Sequence, residues 1–515
     1  MKRRAALGIL PVMILVSTVS CTDFLDQQPQ TALTQEQVFA KLENIDPLIT
    51  GLYTNWRNAR KDRGGFMFQL GGDESQQGAF QVRSEADQAG LDRYDGFLAP
   101  RNNALTQQWD LRWPIVSAAA KAILALQTNT EDEAKRNVLL GEASFIWSAV
   151  TFELTQYWGE IPIIDAGKLN EFGTSRKPLP QVYEYLIKNL QFAVDHLPET
   201  QTDKRRVTKY AAMALLGKVY LYAPQESNAR DYQKAADMFD GVIKSGKYSL
   251  LPKFGDLFDP SKPNSTESLY EFQFTNTYPD NNQTQWQMGS RALASIDGNC
   301  AFGGYDLMVP TAYAYKDATN GGVWEAGDVR KTASIRYDFI YNGQPPKLLS
   351  GFGGDELDPH VKKFEDPRTQ GTMSFWYSGK NIIYMRYADV LLCYAECLNE
   401  LKRTPEAVGI VNNQVRTRAF GGTLPVTMKW NEGLSQDEFR TKMLDERMRE
   451  LCFEGWRRMD LIRSGKFVSL IKARNRWAAE SNTIQEFHKK YPIPLTEVLQ
   501  NEDISDADQN QGYLP

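Results

Sequence analysis

The stretch running to Lys466 from just ahead of Arg386 constrains this 515-residue chain more than any other. Ile383, Tyr387, Leu391, Tyr394, Leu398 and Leu401 recur at steps of three or four, which draws one apolar stripe along a helix. Met448, Leu451, Gly455, Met459 and Ile462 repeat the spacing further on. The other faces of that second helix carry Glu446, Arg449, Glu450, Glu454, Arg457 and Arg458. At i to i+3 and i+4 spacing these charges read as a solvated helical surface. Thr404-Pro405 predicts a helix between the two, with Thr as N-cap and Pro at the first helical position. Ser435 and Glu438 form a capping box before the last helix, and Gly465 is a stop signal.

Paired helices recur upstream. A capping box at Thr34 and Gln37 opens a helix to about Asn58, and helices are expected over 105–127, 131–157, 181–196 and 208–222. Thr130 and Glu133 make the cap of the third of these. Leu216-Gly217 with Tyr220, and Ala235 with Phe239, reproduce tetratricopeptide spacings, in which small residues let two helices approach closely. The fold class is therefore mainly α, a scaffold of tetratricopeptide-like helix pairs discontinuous in sequence. Two segments break the pattern. Residues 61–104 are polar and punctuated by Gly64-Gly65, Gly71-Gly72 and Gly96, and a loop of that length in a compact protein is usually functional. Residues 270–381 form a second loop-rich elaboration. Its 270–345 part holds 13 aromatics in 76 residues, well above the 11% of the whole chain, and Leu269 to Phe274 alternates like a short strand.

Three groups of residues carry a resemblance to a known family. They are Arg386-Tyr387-Ala388-Asp389-Val390-Leu391-Leu392 with Tyr394-Ala395-Glu396 and Leu398-Asn399-Glu400; Glu446-Arg447, Glu450-Leu451, Glu454-Gly455 and Arg457; and Asp460-Leu461-Ile462-Arg463 with Gly465-Lys466. Together with the closing Tyr491-Pro492-Ile493-Pro494 and Gln509-Asn510-Gln511-Gly512-Tyr513, they resemble the signatures of the SusD/RagB family of surface nutrient-binding lipoproteins. The likeness runs from Cys21 to the C-terminus. It implies a SusD-like α-helical lipoprotein that sits as a lid on a SusC-like TonB-dependent outer-membrane transporter, captures an oligosaccharide at the cell surface and helps deliver it inward. It also implies that these motifs are structural and that the ligand surface is built from variable loops. Some relatives are thought to capture peptides. That alternative stays open beside the glycan reading, as does a surface glycoside hydrolase.

The N-terminus fits that address. Lys2, Arg3 and Arg4 precede a short apolar run from Ala5 to Val19, and small Ser20 stands before Cys21. Residues 1–20 read as a lipoprotein signal peptide and 21–515 as one SusD-like domain, with Cys21 acylated and lipid holding the chain at the outer membrane. Thr18 departs from the Leu such boxes prefer. Asp23 to Pro29 then reads as an extended leader. Net charge is −5 with the signs interspersed, which argues against nucleic-acid binding.

No catalytic motif surrounds His196, His360 or His488, and no Gly-rich phosphate loop is present. Asp355, Glu356, Asp358 and His360 read as a solvated acidic loop more readily than as a calcium site. Cys300, Cys393, Cys397 and Cys452 read as small buried residues, a bridge from Cys452 being left open. No catalytic residue, metal or cofactor is expected. Sugars present apolar C–H faces and hydroxyl rims, so their sites need stiff aromatic platforms beside polar groups. Trp286, Tyr305, Tyr315 and Trp324 are the candidate platforms, near Gln283, Gln285, Asn299 and Asp306, with Asp73 and Glu74 on the early loop facing the same ligand.

Overall fold

The structure is a computed structural model. It describes residues 39–163 and 174–514, apart from 298, 299, 301, 341, 342, 344, 347–350, 352 and 370–375. The export signal, Cys21, the leader, the Thr34–Gln37 cap and Asn299 lie outside the described residues.

Helices α1 (Leu42–Asn58), α2 (Asn103–Thr128), α3 (Glu133–Trp158), α4 (Leu179–His196), α5 (Lys209–Tyr222) and α6 (Tyr232–Lys244) form the frame. From α2 to α6 each packs on the next, and α1 covers α2 and α3. The four helices expected over 105–222 are present to within two or three residues, while the one expected from Thr34 is broken at an extended Lys41 and runs as α1 from Leu42. One cap differs: Asp132, not Thr130, accepts from the Lys135 amide and starts α3. Gly217 explains the close packing of α5 on α6, because a Cβ there would meet the Phe239 ring at 2.8 Å.

The frame then pauses for the insertion and resumes. Strand β1 (Ser268–Phe272) pairs antiparallel with β2 (Ile382–Arg386), which leads directly into α7 (Tyr387–Glu400). The apolar stripe therefore begins at Tyr387, and Ile383 belongs to a strand. Trp56 of α1 fastens this ribbon to the frame, stacking on Tyr270 at 5.3 Å and meeting Phe272 and Tyr384 edge-on at 4.7 and 5.0 Å. Helix α7 packs on α6, so residues on either side of the insertion continue one array. Helix α8 (Thr404–Ile410) follows, with Arg403 and not Thr404 at the N-cap and Pro405 in its first turn, since the Thr404 hydroxyl donates to Asn399. The capping box of Ser435 and Glu438 opens α9 (Gln436–Leu451).

Two further expectations for the C-terminal helices need correction. The second stripe is not one helix. The chain breaks after Leu451, turning through Phe453 and Gly455 at φ 66° and 90°, and restarts as α10 (Arg457–Arg463). Nor is its charged face solvated: Glu446, Glu450, Arg449, Arg457 and Arg458 are all buried. The reason is tertiary pairing. Arg386, at the end of β2, holds Glu267 at 2.9 Å, Glu450 at 2.5 Å and Glu454 at 2.8 Å. Arg330 and Arg418 also hold Glu450, Lys363 holds Glu454, and Arg416 and Arg449 hold Glu446. With Asp328 on Arg330 and Glu325 on Arg416, six cations face six carboxylates. A second cluster joins Lys218 of α5, Arg447 and Arg463 to Asp389, Glu396 and Asp460. Burial alone would raise the Glu450 carboxyl, but Arg418, Arg386 and Arg330 together hold it well below the usual range.

Cys300, Cys393, Cys397 and Cys452 are buried free thiols, so Cys452 forms no bridge.

Removing one partner from such a lattice leaves unpaired buried charge. Arg386→Met is expected to cost about 3–5 kcal/mol in urea unfolding of the lipid-free protein. The same change at the exposed Arg403 of the Arg403–Glu406 pair should leave the midpoint unmoved within error.

Candidate functional site

Among the described residues of the insertion, three rings form a stack that reaches the surface. Trp286 lies on the short helix Thr284–Met288, and its ring is 4.7 Å from Trp376 on one side and 4.7 Å from Tyr305 on the other, at 20° and 25°. Trp376 is 43% exposed, while Trp286 and Tyr305 are half-buried. Backbone bonds set this spacing. The Tyr305 amide donates to the Trp286 carbonyl at 2.8 Å, and the Leu307 amide to Gln287 at 2.8 Å. Gly304 permits the crossing, since a Cβ there would lie 2.2 Å from the Trp286 carbonyl oxygen. Beyond Trp286, Asn282 exchanges backbone bonds with Ser378 at 2.9 and 2.8 Å, which places the Trp376 segment against the stack.

Cations and amides border the rings. The Arg291 guanidinium lies 4.3 Å over Tyr305 and 3.9 Å over Phe80, and Arg63 lies 5.4 Å over Tyr305. Arg63 donates to Gln88 at 2.7 Å, and Gln77 donates to the same Gln88 oxygen at 3.2 Å. The indole of Trp477 in turn donates to the Gln77 carbonyl at 2.8 Å, and Arg476 lies 4.0 Å over the Trp477 ring. Tyr315 is half-buried near Asp358 and Arg476, and burial followed by the Asp358 charge raises its phenol above the usual value. Rings that stack, with guanidinium and amide groups at their edges, suit a flat ligand with polar rims.

The expected site residues divide. Trp286 and Tyr305 are brought together, and Tyr315 lies on a separate part of the same elaboration. Trp324 is wholly buried, its indole donating to the Ala314 carbonyl at 2.6 Å, so it packs the loop and offers no platform. Asp73 is also wholly buried and is clamped by Arg457 at 2.6 Å and Arg474 at 2.8 Å. Glu74 is buried beside it and accepts from the Phe453 amide at 3.1 Å. These two carboxyls tie the early segment to the C-terminal helices and face no ligand. Asp306 and Gln285 are buried too, bonded to His360 and to Thr369.

The segment 61–104, expected as loop, holds the 3-10 turn Arg63–Gln69 and helices Ala79–Ser84 and Ala86–Arg93, much of it buried. The acidic group near His360 is dispersed among structural partners: Asp355 accepts from the Ala79 amide at 2.9 Å and pairs with Arg476, and His360 pairs with Asp306 at 2.9 Å. Among the described residues no group of three or more His, Cys, Asp or Glu is placed to hold a metal ion. Sequence reasoning missed Trp376, Trp477, Arg63 and Arg291. Trp376 stands within the loop-rich elaboration, past its aromatic-rich 270–345 part but between Phe375 and Tyr377. The two arginines had no sequence signal, because only the tertiary fold sets them over Tyr305.

Burial lifts the Glu74 carboxyl to about 8 from an ordinary 4.5; Arg457 and Lys363 oppose the rise and Asp73 adds to it. Between those values the folded chain keeps a proton that the unfolded chain has released, so this group's contribution to stability is lost as pH rises from 4.5 towards 8. Glu74→Gln should therefore unfold at a midpoint that falls less between pH about 5 and about 8 than the parent's does, measured by urea titration.

Sequence and structure comparisons place this arrangement among known proteins. The SusD family model matches residues 266–513, and the model described as "Starch-binding associating with outer membrane" matches residues 23–221. SusD-like protein P2 of Formosa agariphila is 28% identical over 98% of this chain and 98% of its own length. A solved SusD homolog from Bacteroides thetaiotaomicron superposes with a TM-score of 0.78 at 22% identity, covering 93% of this chain and 99% of the other. The surface glycan-binding protein A of the same organism, solved in complex with laminarihexaose, gives a TM-score of 0.73 at 17% identity over 91% and 99%. Both halves of the frame, on either side of β1, thus match one family, and the chain belongs to the SusD/RagB family.

Proposed function

We propose that this protein is a non-catalytic, cell-surface glycan-binding lipoprotein that captures an oligosaccharide and hands it to a SusC-like TonB-dependent transporter of the outer membrane. The observation that carries the reading is the Trp376–Trp286–Tyr305 stack, whose outer ring is 43% exposed and whose inner end is bordered by Arg63 and Arg291. A pyranose lays its C–H face on the exposed indole, and its hydroxyls reach the guanidinium and amide groups alongside. Tyr315 and Trp477 extend the surface for further sugar units. The laminarihexaose complex of a fold relative supports an oligosaccharide as the ligand class. An acylated Cys21 supplies the tether to outer-membrane lipid, and the helical-repeat face is the surface offered to the transporter. Mechanism is then reversible binding, with movement of the whole protein over the transporter gating entry.

Calorimetric titration of the lipid-free protein against a panel of glycans and a peptide pool tests this. Trp376→Ala and Trp286→Ala are each expected to weaken the bound glycan at least about tenfold, roughly 1.4 kcal/mol, with the unfolding midpoint of the exposed Trp376 variant unchanged. Binding of peptides alone, or turnover of the bound glycan, would overturn the reading. Labelled fatty acid should appear on the full chain and be lost in Cys21→Ala.

A further inference from the structure

Behind the frame's junction with the β1–β2 ribbon lies a cavity of about 50 Å³ that the glycan reading does not use. Its wall is made in part by Arg60, just past α1; Arg112 of α2; Glu153 of α3; Gln69; Tyr384 of β2; and Glu454. Arg112 and Glu153 are 2% and 6% exposed. Arg60 and Arg112 both turn to Glu153, one on each carboxylate oxygen. Glu454 offers neither of them a charge, because Arg386 and Lys363 already hold it.

The two larger ionic clusters close with equal numbers of cations and carboxylates, as described above. Here two guanidiniums share a single carboxylate, Arg112 buried and Arg60 with 20% of its side chain exposed, which leaves one positive charge uncompensated in a largely buried setting. Other buried cations without a carboxylate are satisfied differently: Arg458 donates to the His488 carbonyl and to Tyr94, and Lys380 donates to three carbonyls. Arg112 bonds Glu153 through Nε and Gln108 through Nη1, and Arg60 Nε has no partner. The Tyr384 hydroxyl and the Gln69 side-chain carbonyl are likewise buried without partners. Burial opposes both cations, depressing Arg112 to about 9 and lowering Arg60. Rings give them part of what they lack: Arg112 lies 4.3 Å over Phe68, and Arg60 lies 4.9 Å over Phe272 and 5.1 Å over Tyr384. A ring quadrupole weakens the cost of a buried cation but does not neutralise it.

We propose that this cavity is a binding site for a small monovalent inorganic anion, of the size and charge of chloride, held by Arg60 and Arg112 with the Tyr384 hydroxyl as a further donor. The volume admits one such ion or a few waters and is too small for an oligosaccharide. The ion closes the seam between α1, α2, α3 and β2. It also fixes Arg60, three residues ahead of the Arg63 that borders the ring stack.

Crystals grown in bromide test the site directly: an anomalous peak between Arg60 and Arg112 is the expected result. In solution, thermal unfolding of the lipid-free protein is followed from low to high chloride, with gluconate holding the ionic strength constant. The midpoint is expected to rise by roughly 2–3 °C over two decades of chloride above the dissociation constant. Glu153→Gln should bind halide at least about tenfold more tightly by removing the competing carboxylate, and Arg112→Met should abolish the halide dependence. A cavity holding only water in the bromide crystals, or bromide confined to the surface, would overturn the proposal, and so would a midpoint equal in chloride and gluconate. The bromide measurement needs no variant, so a substitution that fails to fold leaves the test intact.

Discussion

A buried guanidinium must find acceptors, and above all carboxylates, or it destabilises the protein around it, and this chain buries many. Arg386 shows what that requirement does to the fold. It sits where β2 becomes α7, and its acceptors come from the segment ahead of β1, from α9 and from the turn after α9. One side chain therefore fixes the place of three segments far apart in sequence. The second cluster repeats this between α5, α7, α9 and α10, with Lys218 also lying 3.1 Å over the Trp456 ring. Hydrophobic burial drives these helices together, but it is tolerant of sliding. The charge lattice is not tolerant, since a shift of one turn would separate each cation from its acceptor at several kcal/mol.

That lattice also shows where local pattern reading stops. Glu446, Arg449 and Glu450 have spacings that suit pairing along one helix, and one such pair does form, Arg449 with Glu446 at 2.8 Å. Their remaining partners, Arg330, Arg386, Arg416 and Arg418, lie outside the helix, and spacing within a helix carries no information about them. A charged helical face looks the same in sequence whether water or arginine covers it. The helix pairs themselves were legible because their signals are local: the Ser435–Glu438 capping box, Thr208 at the start of α5, and Gly217 against Phe239. Ile383 was misplaced on a helix because apolar recurrence over one or two turns does not separate a strand that runs into a helix from a longer helix.

The candidate site was half legible for a related reason. An excess of aromatic residues in a segment marks it for packing or for binding without saying which ring does which. Trp286 and Trp324 are alike in sequence, each among polar residues and glycines. One became the middle of an open stack, and the other filled the loop's interior with its indole bonded to Ala314. What separates them is the backbone path around Gly304, which brings Tyr305 across Trp286. Asp73 and Glu74 were drawn to the ligand by their position on an early polar segment, yet the arginines of the C-terminal helices claim that segment.

The same claim joins frame to site. Residues 61–104 hold only short helical pieces joined by loops, and a loose platform would lose much of its affinity to the ordering of its own side chains. This segment is not loose. Asp73 is clamped by Arg457 and Arg474, Glu74 takes the Phe453 amide, and Asp92 accepts from the amides of Gly71 and Gln77 and from Asn475, at 2.8 to 2.9 Å. Gln77 then bonds Gln88, which bonds Arg63 over the Tyr305 ring. Stiffness is thus passed from the buried lattice to the ring stack through polar side chains, in a region whose helices are too short to supply it alone. Capture by flat rings on loops is physically reasonable only because those loops are bolted from beneath, and one of the bolts is Arg457, which a reading by local pattern alone assigns to solvent.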